Sequence, residues 1–143
     1  MTDFDKLIKA RNERNKYAIF LGINTTKISE GHAEGEIILR DEHFNPIKSV
    51  HGGCIFSLAD TIAGSASISY GKKTATLSSN MNFISAAMDT EKIIAYADVT
   101  KRGKKVIVVN VDVTDDKGKK VAIGTFTFFN LNKDFLEEEW LRG

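Results

Sequence analysis

The chain has 143 residues, of which 42% are hydrophobic and 27% charged, as is typical of one soluble globular domain with a real core. Its formal net charge of +1 provides no overall attraction to nucleic acid or to anionic membranes. No run approaches the roughly 18 apolar residues of a membrane span. The first residues, MTDFDKLIKARNERN, do not resemble a signal peptide. We therefore expect neither a nucleic-acid partner nor a membrane partner.

The first third of the chain predicts one helix and two strands. Residues 3–15 have the i, i+3, i+4, i+7 spacing of a helix with one packed face, and Thr2 or Asp3 is a plausible N-cap. The positions with this spacing are Phe4, Leu7, Ile8 and Arg11. Residues 18–30 and 33–40 predict two strands around the turn SEGH.

The second half of the chain predicts four more strands. They cover residues 74–85, 91–101, 105–115 and 119–131. The segments KRGKK and DDKGKK separate the last three, and each contains a glycine suited to a hairpin turn. The tail at 132–143 includes KDFLEEEWLRG, which has helical spacing. The pattern predicts one α+β domain over residues 1–143, in which a long helix precedes an antiparallel meander.

The long helix, at about residues 52–70, follows the polar loop DEHFNPIKS. From Gly53 to Ser69 every side chain is small, apolar or hydroxyl-bearing except that of Asp60. A helix that is apolar on all sides is buried on all sides, which requires a sheet that curls around it. Because burying an unpaired carboxylate is costly, Asp60 is a structural residue held by hydrogen bonds, or it faces a wet interface, or it has a chemical role.

The residues HGG at 51–53 open this helix, so its first N–H groups are free and the positive end of its dipole points outward. Glycine allows another group to approach those amides, as is needed to hold an oxygen that becomes negative. A tight turn into the helix would explain the glycines alone. Together with Asn45, His51 and Asp60, they indicate acyl transfer.

Three segments, FNPIKSVHGGCIFSLADTIAG, TATLSSNMNFISAA and TKRGKKVIVVNVDVTDDKGKKVAIGTFTFF, resemble the hotdog-fold acyl-CoA thioesterases of the phenylacetate-degradation type. The resemblance covers roughly residues 15–131. It includes an Asn six residues before HGG, a Leu-Ala-Asp in the helix and an Asn-x-Asn-Phe on the next strand. It implies a hotdog fold, in which a curved antiparallel sheet wraps a long central helix. It also implies hydrolysis of an acyl-CoA at the interface of a homodimer; a homotetramer formed from two dimers is expected, and the choice between dimer and tetramer stays open.

The resemblance implies a catalytic role for five residues. Asn45 would orient the thioester or the attacking water. The Gly52 amide would polarise the thioester carbonyl, and His51 would support the site. Asp60 would act as general base or as nucleophile, and Thr76 would place a hydroxyl near the water.

Five further residues are candidates for substrate binding. Gly53 lies beside the proposed oxyanion amide, and Lys48 stands where the family has a glycine. Lys48 could change the loop or reach a coenzyme A phosphate. Arg102, Lys104 and Lys105 in KRGKK could do the latter too, although such a turn is more often simply solvated, and nucleic-acid binding is weaker still. The family's proline after the Asn-Phe pair is absent, since ISAAM stands there.

Two other functions fit the same fold. One is a non-catalytic module that binds acyl-CoA or an acyl carrier. The other is a hotdog hydratase, which the HGG turn and Asp60 disfavour because they suit hydrolysis better.

The remaining candidate groups are weaker. The single cysteine, Cys54, excludes an internal disulfide and fits a reducing compartment, so we expect a cytoplasmic protein. A lowered pKa near a helix N-terminus would make Cys54 reactive, but only His51 is nearby as a base. His32, His43 and His51 are too dispersed for a metal site. Because no P-loop or G-x-G-x-x-G occurs either, the sequence predicts no metal and no cofactor.

Overall fold

The computed structural model describes residues 2–136. Its α-helices in this range are α1 (Phe4–Arg14), α2 (Lys16–Leu21) and α3 (Gly52–Ser67). Its strands there are β1 (Ile23–Ser29), β2 (His32–Ile38), β3 (Lys72–Phe83), β4 (Lys92–Arg102), β5 (Val106–Asp115) and β6 (Lys120–Asp134). Short 3-10 turns lie at Asp41–His43 and Ile68–Tyr70. The strands form one antiparallel sheet in the order β1-β2-β4-β5-β6-β3.

The N-terminal helix is confirmed, and Asp3 is its N-cap, with a carboxylate that accepts the N–H of Lys6 at 3.2 Å. The strand predicted over 18–30 is wrong in its first residues, because they belong to α2 and β1 starts only at Ile23. An apolar run as short as YAIFL fits either state. Capping residues at both ends favour the helix. The Asn15 side chain accepts the N–H of Ala18 at 3.1 Å, and Gly22 ends the helix in the left-handed conformation at φ +79°.

The central helix α3 is confirmed, with a final 3-10 turn where the prediction extended it to residue 70. It packs against all six strands of the sheet and is buried along most of its length. Gly35 on β2 permits this close approach, since a β-carbon there would collide with the Ile62 side chain. The sheet that the apolar composition of α3 required is therefore present.

The predicted meander is correct for β4, β5 and β6 but wrong for β3. Strand β3 pairs with β6 and lies at the edge of the sheet, so residues 84–91 cross back to β4. The local sequence pattern cannot distinguish pairing of β3 with β4 from pairing with β6, because either strand can form the backbone hydrogen bonds that β3 needs. As an edge strand, β3 is exposed along most of its length, and the side chains of Leu77 and Phe83 are 56% and 51% exposed.

The predicted helical tail begins differently, because β6 continues through Asp134 and a turn places Phe135 in the core. The rest of that predicted helix, residues 137–143, lies outside the described residues. Within residues 2–136, no helix is long and apolar enough to cross a membrane.

Candidate active site

Asp60 lies at the middle of α3 and is held by the edge strand. The hydroxyl of Thr76 on β3 donates to Asp60 Oδ1 at 3.1 Å. Burial raises the pKa of the half-buried Asp60 carboxyl, while the hydrogen bond from Thr76 and the positive charge of Arg11 oppose that rise. The structure thus brings the two predicted residues together as a single carboxylate–hydroxyl pair.

A cavity of about 240 Å³ adjoins this pair. Its walls combine apolar side chains from β6, from the turn after it and from the 3-10 turn after α3 with polar groups from α1, α3 and β3. The lining residues are Arg11, Asn15, Asp60, Thr61, Gly64, Ile68, Lys73, Thr74, Thr76, Phe128, Leu131 and Phe135. A carboxylate beside such a cavity can attack a carbonyl carbon or deprotonate a water that does so.

Most of the backbone N–H groups at the start of α3 donate hydrogen bonds within the protein, and one is left for a ligand. His51 Nδ1 accepts the N–H of Gly53 at 2.8 Å. The His51 carbonyl accepts the N–H groups of Cys54 and Ile55 at 2.9 and 3.1 Å. Gly52 is the first residue of the helix, so no helical carbonyl precedes it to accept its N–H. Gly52 is therefore the first-turn amide available to a ligand oxygen, whereas the N–H of Gly53, a predicted substrate-binding residue, already donates to His51.

The loop before the helix is organised by Asn45. Its Oδ1 accepts the N–H groups of Ile47 and Ser49, each at 3.1 Å, and its Nδ2 donates to Ser49 Oγ at 2.7 Å. Lys48 has φ +64°, the left-handed conformation that glycine adopts most easily. The loop therefore has the backbone that a glycine would give, and the exposed Lys48 side chain extends from it.

Asn45 and Gly52 line a second cavity of about 400 Å³, and Asp60 and Thr76 are not part of its lining. Its wall includes Phe83, whose ring lies 3.6 Å from the position of a β-carbon added at Gly52. Gly52 and Asp60 are eight residues apart on α3, which corresponds to about 12 Å along the axis. Within one chain, the predicted catalytic residues thus form two separate half-sites.

Three of the predicted coenzyme A contacts, Arg102, Lys104 and Lys105, lie at the end of β4 and in the turn that follows it, outside the lining of both cavities. The Arg102 guanidinium stacks on the Tyr70 ring at 3.9 Å. The carbonyls of Lys104 and Lys105 accept hydrogen bonds from Asn130, and their side chains are exposed. Their predicted contact with coenzyme A stays a prediction.

Cys54 does not have the low pKa that its place near a helix N-terminus suggested. Burial raises the pKa of its thiol to about 11, against a smaller opposing effect of Arg40. The thiol is therefore protonated at neutral pH and inert.

The histidines have separate roles. His43 is buried and accepts from the Arg40 N–H at 3.1 Å through Nδ1, so its Nε2 donates to the Leu21 carbonyl at 2.6 Å. His32 lies on the outer face of the sheet between Asp98 and Glu34, at 2.7 and 2.6 Å. No group of three or more metal-binding side chains occurs within residues 2–136.

Sequence reasoning missed Arg11 as a site residue. Its Nε donates to Ser65 Oγ at 2.9 Å, and its Nη2 donates to the Thr61 carbonyl at 2.6 Å, so it is fixed to α3 on the wall of the Asp60 cavity. The available signal was an arginine in the apolar stripe of α1, where a charged side chain needs a partner.

A curved antiparallel sheet around a long helix, with a free amide at the start of that helix and a carboxylate two turns later, defines a hotdog protein with an esterase-like site. Residues 48–122 match the family model of the thioesterase superfamily. The chain belongs to this superfamily.

Curated relatives agree with this membership. The chain is 31% identical over 123 residues to a putative esterase of Archaeoglobus fulgidus. This alignment covers 86% of this chain and 80% of that protein. It is 29% identical over 114 residues to the acyl-coenzyme A thioesterase PaaI of Escherichia coli, covering 80% of this chain and 81% of that one.

Solved structures give the same fold. The E. coli PaaI protein superposes with a TM-score of 0.85 at 26% identity, over 90% of this chain and 94% of that one. The protein smu.793 of Streptococcus mutans, solved with acetyl CoA bound, has a TM-score of 0.78 at 29% identity, over 86% of this chain and 99% of that one.

Proposed function

We propose that this protein hydrolyses acyl-CoA thioesters to a free acid and coenzyme A. The observation that carries the proposal is the Asp60 carboxylate, half-buried beside a cavity and held by the Thr76 hydroxyl. Asp60 either attacks the thioester carbonyl carbon or removes a proton from the water that attacks it. In both routes the carbon–sulfur bond breaks, the thiolate leaves with a proton, and water supplies the acid's second oxygen. The reaction needs no cofactor.

The developing oxyanion is assigned to the Gly52 N–H, which has no helical acceptor. A single carbonyl and its attacking oxygen need both Gly52 and Asp60 within roughly 3 Å of the reacting atoms. Because the two residues are separated by about 12 Å on one helix, a second chain must supply one of them. The proposal therefore includes a homodimer with its active sites at the interface.

The edge strand β3 supports a particular arrangement. Thr76 adjoins Asp60 and Phe83 adjoins Gly52, and the two lie about 23 Å apart on β3. If β3 pairs with its copy about a two-fold axis between Ser79 and Asn80, Thr76 of one chain comes opposite the partner's Phe83. The Asp60 half-site then adjoins the partner's Gly52 half-site. No strand among the described residues pairs with the outer edge of β3, and this edge, with Leu77 exposed, is a template for such pairing.

The outlying basic residues complete the proposal. Lys48 and the exposed turn with Arg102, Lys104 and Lys105 are candidates to contact the phosphates of coenzyme A. Further pairing of dimers into a tetramer is part of the same proposal. A cytoplasmic location fits the unpaired Cys54 thiol.

A thioester panel tests the activity. Aryl, short-chain and long-chain acyl-CoAs are incubated with the protein, and a thiol-reactive dye measures released coenzyme A. We expect release with at least one acyl class, and nearly complete loss in Asp60→Asn, which keeps the shape and removes the charge. Tight binding of acyl-CoA without release would instead identify a non-catalytic binding module.

Subunit mixing tests the shared site. Gly52→Pro and Asp60→Asn, each inactive alone, are unfolded and refolded together in equal amounts. Random pairing makes about half of the dimers mixed, and each mixed dimer has one intact site and one site with both lesions. Activity should return to roughly a quarter of wild type. If both residues acted within one chain, every site would carry a lesion and mixing would restore nothing.

A further inference from the structure

Arg11 links the N-terminal helix to the carboxylate at the centre of the proposed site. Its guanidinium is anchored to the turn of α3 that follows Asp60, through the Thr61 carbonyl and Ser65 Oγ. Gly64 makes room for it, since a β-carbon at that position would lie 3.1 Å from Arg11 Nη2. Two hydrogen bonds and a cleared space thus hold this cation on the wall of the Asp60 cavity.

We infer that Arg11 is a positioning residue for the reaction: fixed on the wall of the shared cavity, its charge keeps Asp60 ionised from outside the reacting atoms. This inference rests on the proposed hydrolysis by Asp60. It assigns a chemical role to α1, which otherwise packs against β1 and α2.

The charges around Asp60 support this role. Among the described residues that line the cavity, the charged ones are Arg11, Lys73 and Asp60 itself. Burial raises the pKa of Asp60, and the Arg11 charge opposes that rise, as does the Thr76 hydroxyl. Burial lowers the pKa of Arg11 to about 10, against the attraction of Asp60, so the guanidinium remains charged at neutral pH. Lys73 lies on the same wall and has interactions of its own.

The direction of the effect follows from these charges. Asp60 must be ionised to attack carbon or to accept a proton from water. Removing Arg11 removes a stabiliser of the ionised form, so Asp60 protonates at a higher pH than in the wild type. As the pH is lowered, the rate of hydrolysis should then begin to fall at a higher pH than in the wild type, while the rate at alkaline pH stays nearly normal. A purely structural role of Arg11 would lower the rate by the same factor at every pH.

The test compares Arg11→Gln with wild type. Glutamine can still donate to the Thr61 carbonyl but has no charge. We expect the ratio of kcat/KM at about pH 8.5 to that at about pH 5 to grow roughly tenfold, as for the loss of an opposite charge near a carboxylate. Arg11→Lys should restore most of the wild-type profile. Lys9→Gln removes a charge from the exposed face of the same helix and should leave the profile unchanged.

A second readout does not depend on turnover. Carbon-13 NMR of labelled protein follows the titration of the Asp60 carboxyl, assigned with Asp60→Asn, and should show a higher midpoint in Arg11→Gln. If wild type releases no thiol from any acyl-CoA, the proposed function fails, while this titration still tests the coupling. An unchanged midpoint in a folded Arg11→Gln overturns the inference. Should that variant not fold, Arg11→Met, which keeps the apolar stem and removes the charge, must raise the midpoint in the same way.

Discussion

Replacing Gly52 with proline removes one N–H group from the proposed site and leaves the rest of the helix start intact. Proline is favoured at the first helical position, where its missing N–H breaks no helical bond. The preceding residue, His51, has φ −58° and ψ 134°, which is the conformation that proline requires of its neighbour. The fold should therefore tolerate the change with little loss of stability.

The effect on catalysis should be large because no other amide can replace the lost one. The N–H groups of Gly53, Cys54 and Ile55 already donate to the side chain or carbonyl of His51. Loss of one oxyanion donor lowers kcat by about 100-fold to 1,000-fold, equivalent to about 3–4 kcal/mol of transition-state stabilisation. We expect a decrease of at least about 100-fold in Gly52→Pro.

Gly52→Ala is the matched control, because it adds a β-carbon at the same place and keeps the N–H. That carbon would make ordinary contact with the Phe83 ring at 3.6 Å. Thiol release is measured for both variants with the best acyl-CoA, and circular dichroism and thermal melting verify the fold. Equal rates in folded Gly52→Pro and Gly52→Ala would refute the assignment of the oxyanion to this amide.

Three further predictions concern stability. Asp60→Asn should melt at an equal or higher temperature than wild type at about pH 7, and the difference between the two melting temperatures should disappear toward about pH 4. The reason is that a raised carboxyl pKa in the folded protein makes folding less favourable as the pH rises above 3.8. A lower melting temperature of the variant at neutral pH would contradict this. Lys48→Gly should stabilise the fold by up to about 1 kcal/mol in urea unfolding, since glycine relieves the left-handed strain but loses more chain entropy; an unchanged KM would also remove Lys48 from the coenzyme A contacts. Burial lowers the pKa of His32, but the hydrogen bonds and charges of Glu34 and Asp98 together raise it by more, so the net shift is upward. The stabilisation from His32 is then full below about pH 6.5 and lost as the pH rises, so His32→Gln should lower the melting temperature at about pH 6 and have little effect at about pH 9; an equal loss at both would refute the charge argument.

Much of the fold follows from patterns that neighbouring residues set. Alternation predicted β4, β5 and β6, and the glycine-containing turns between them predicted their hairpins. Patterns failed where two states fit equally. The run at 18–21 could be strand or helix, and only the caps at Asn15 and Gly22 resolve it.

The sequence by itself determined that α3 is buried, that its first N–H groups have no helical acceptor before them and that Asp60 is its one carboxylate. These are properties of a single helix, fixed by side-chain type and by the polarity of its backbone. Only the tertiary structure decided what surrounds Asp60. Arg11 reaches α3 from more than fifty residues earlier in the chain, and Thr76 comes from an edge strand that pairs with β6. Such contacts depend on how distant elements pack together, and a pattern that repeats every two or four residues carries no information about that packing.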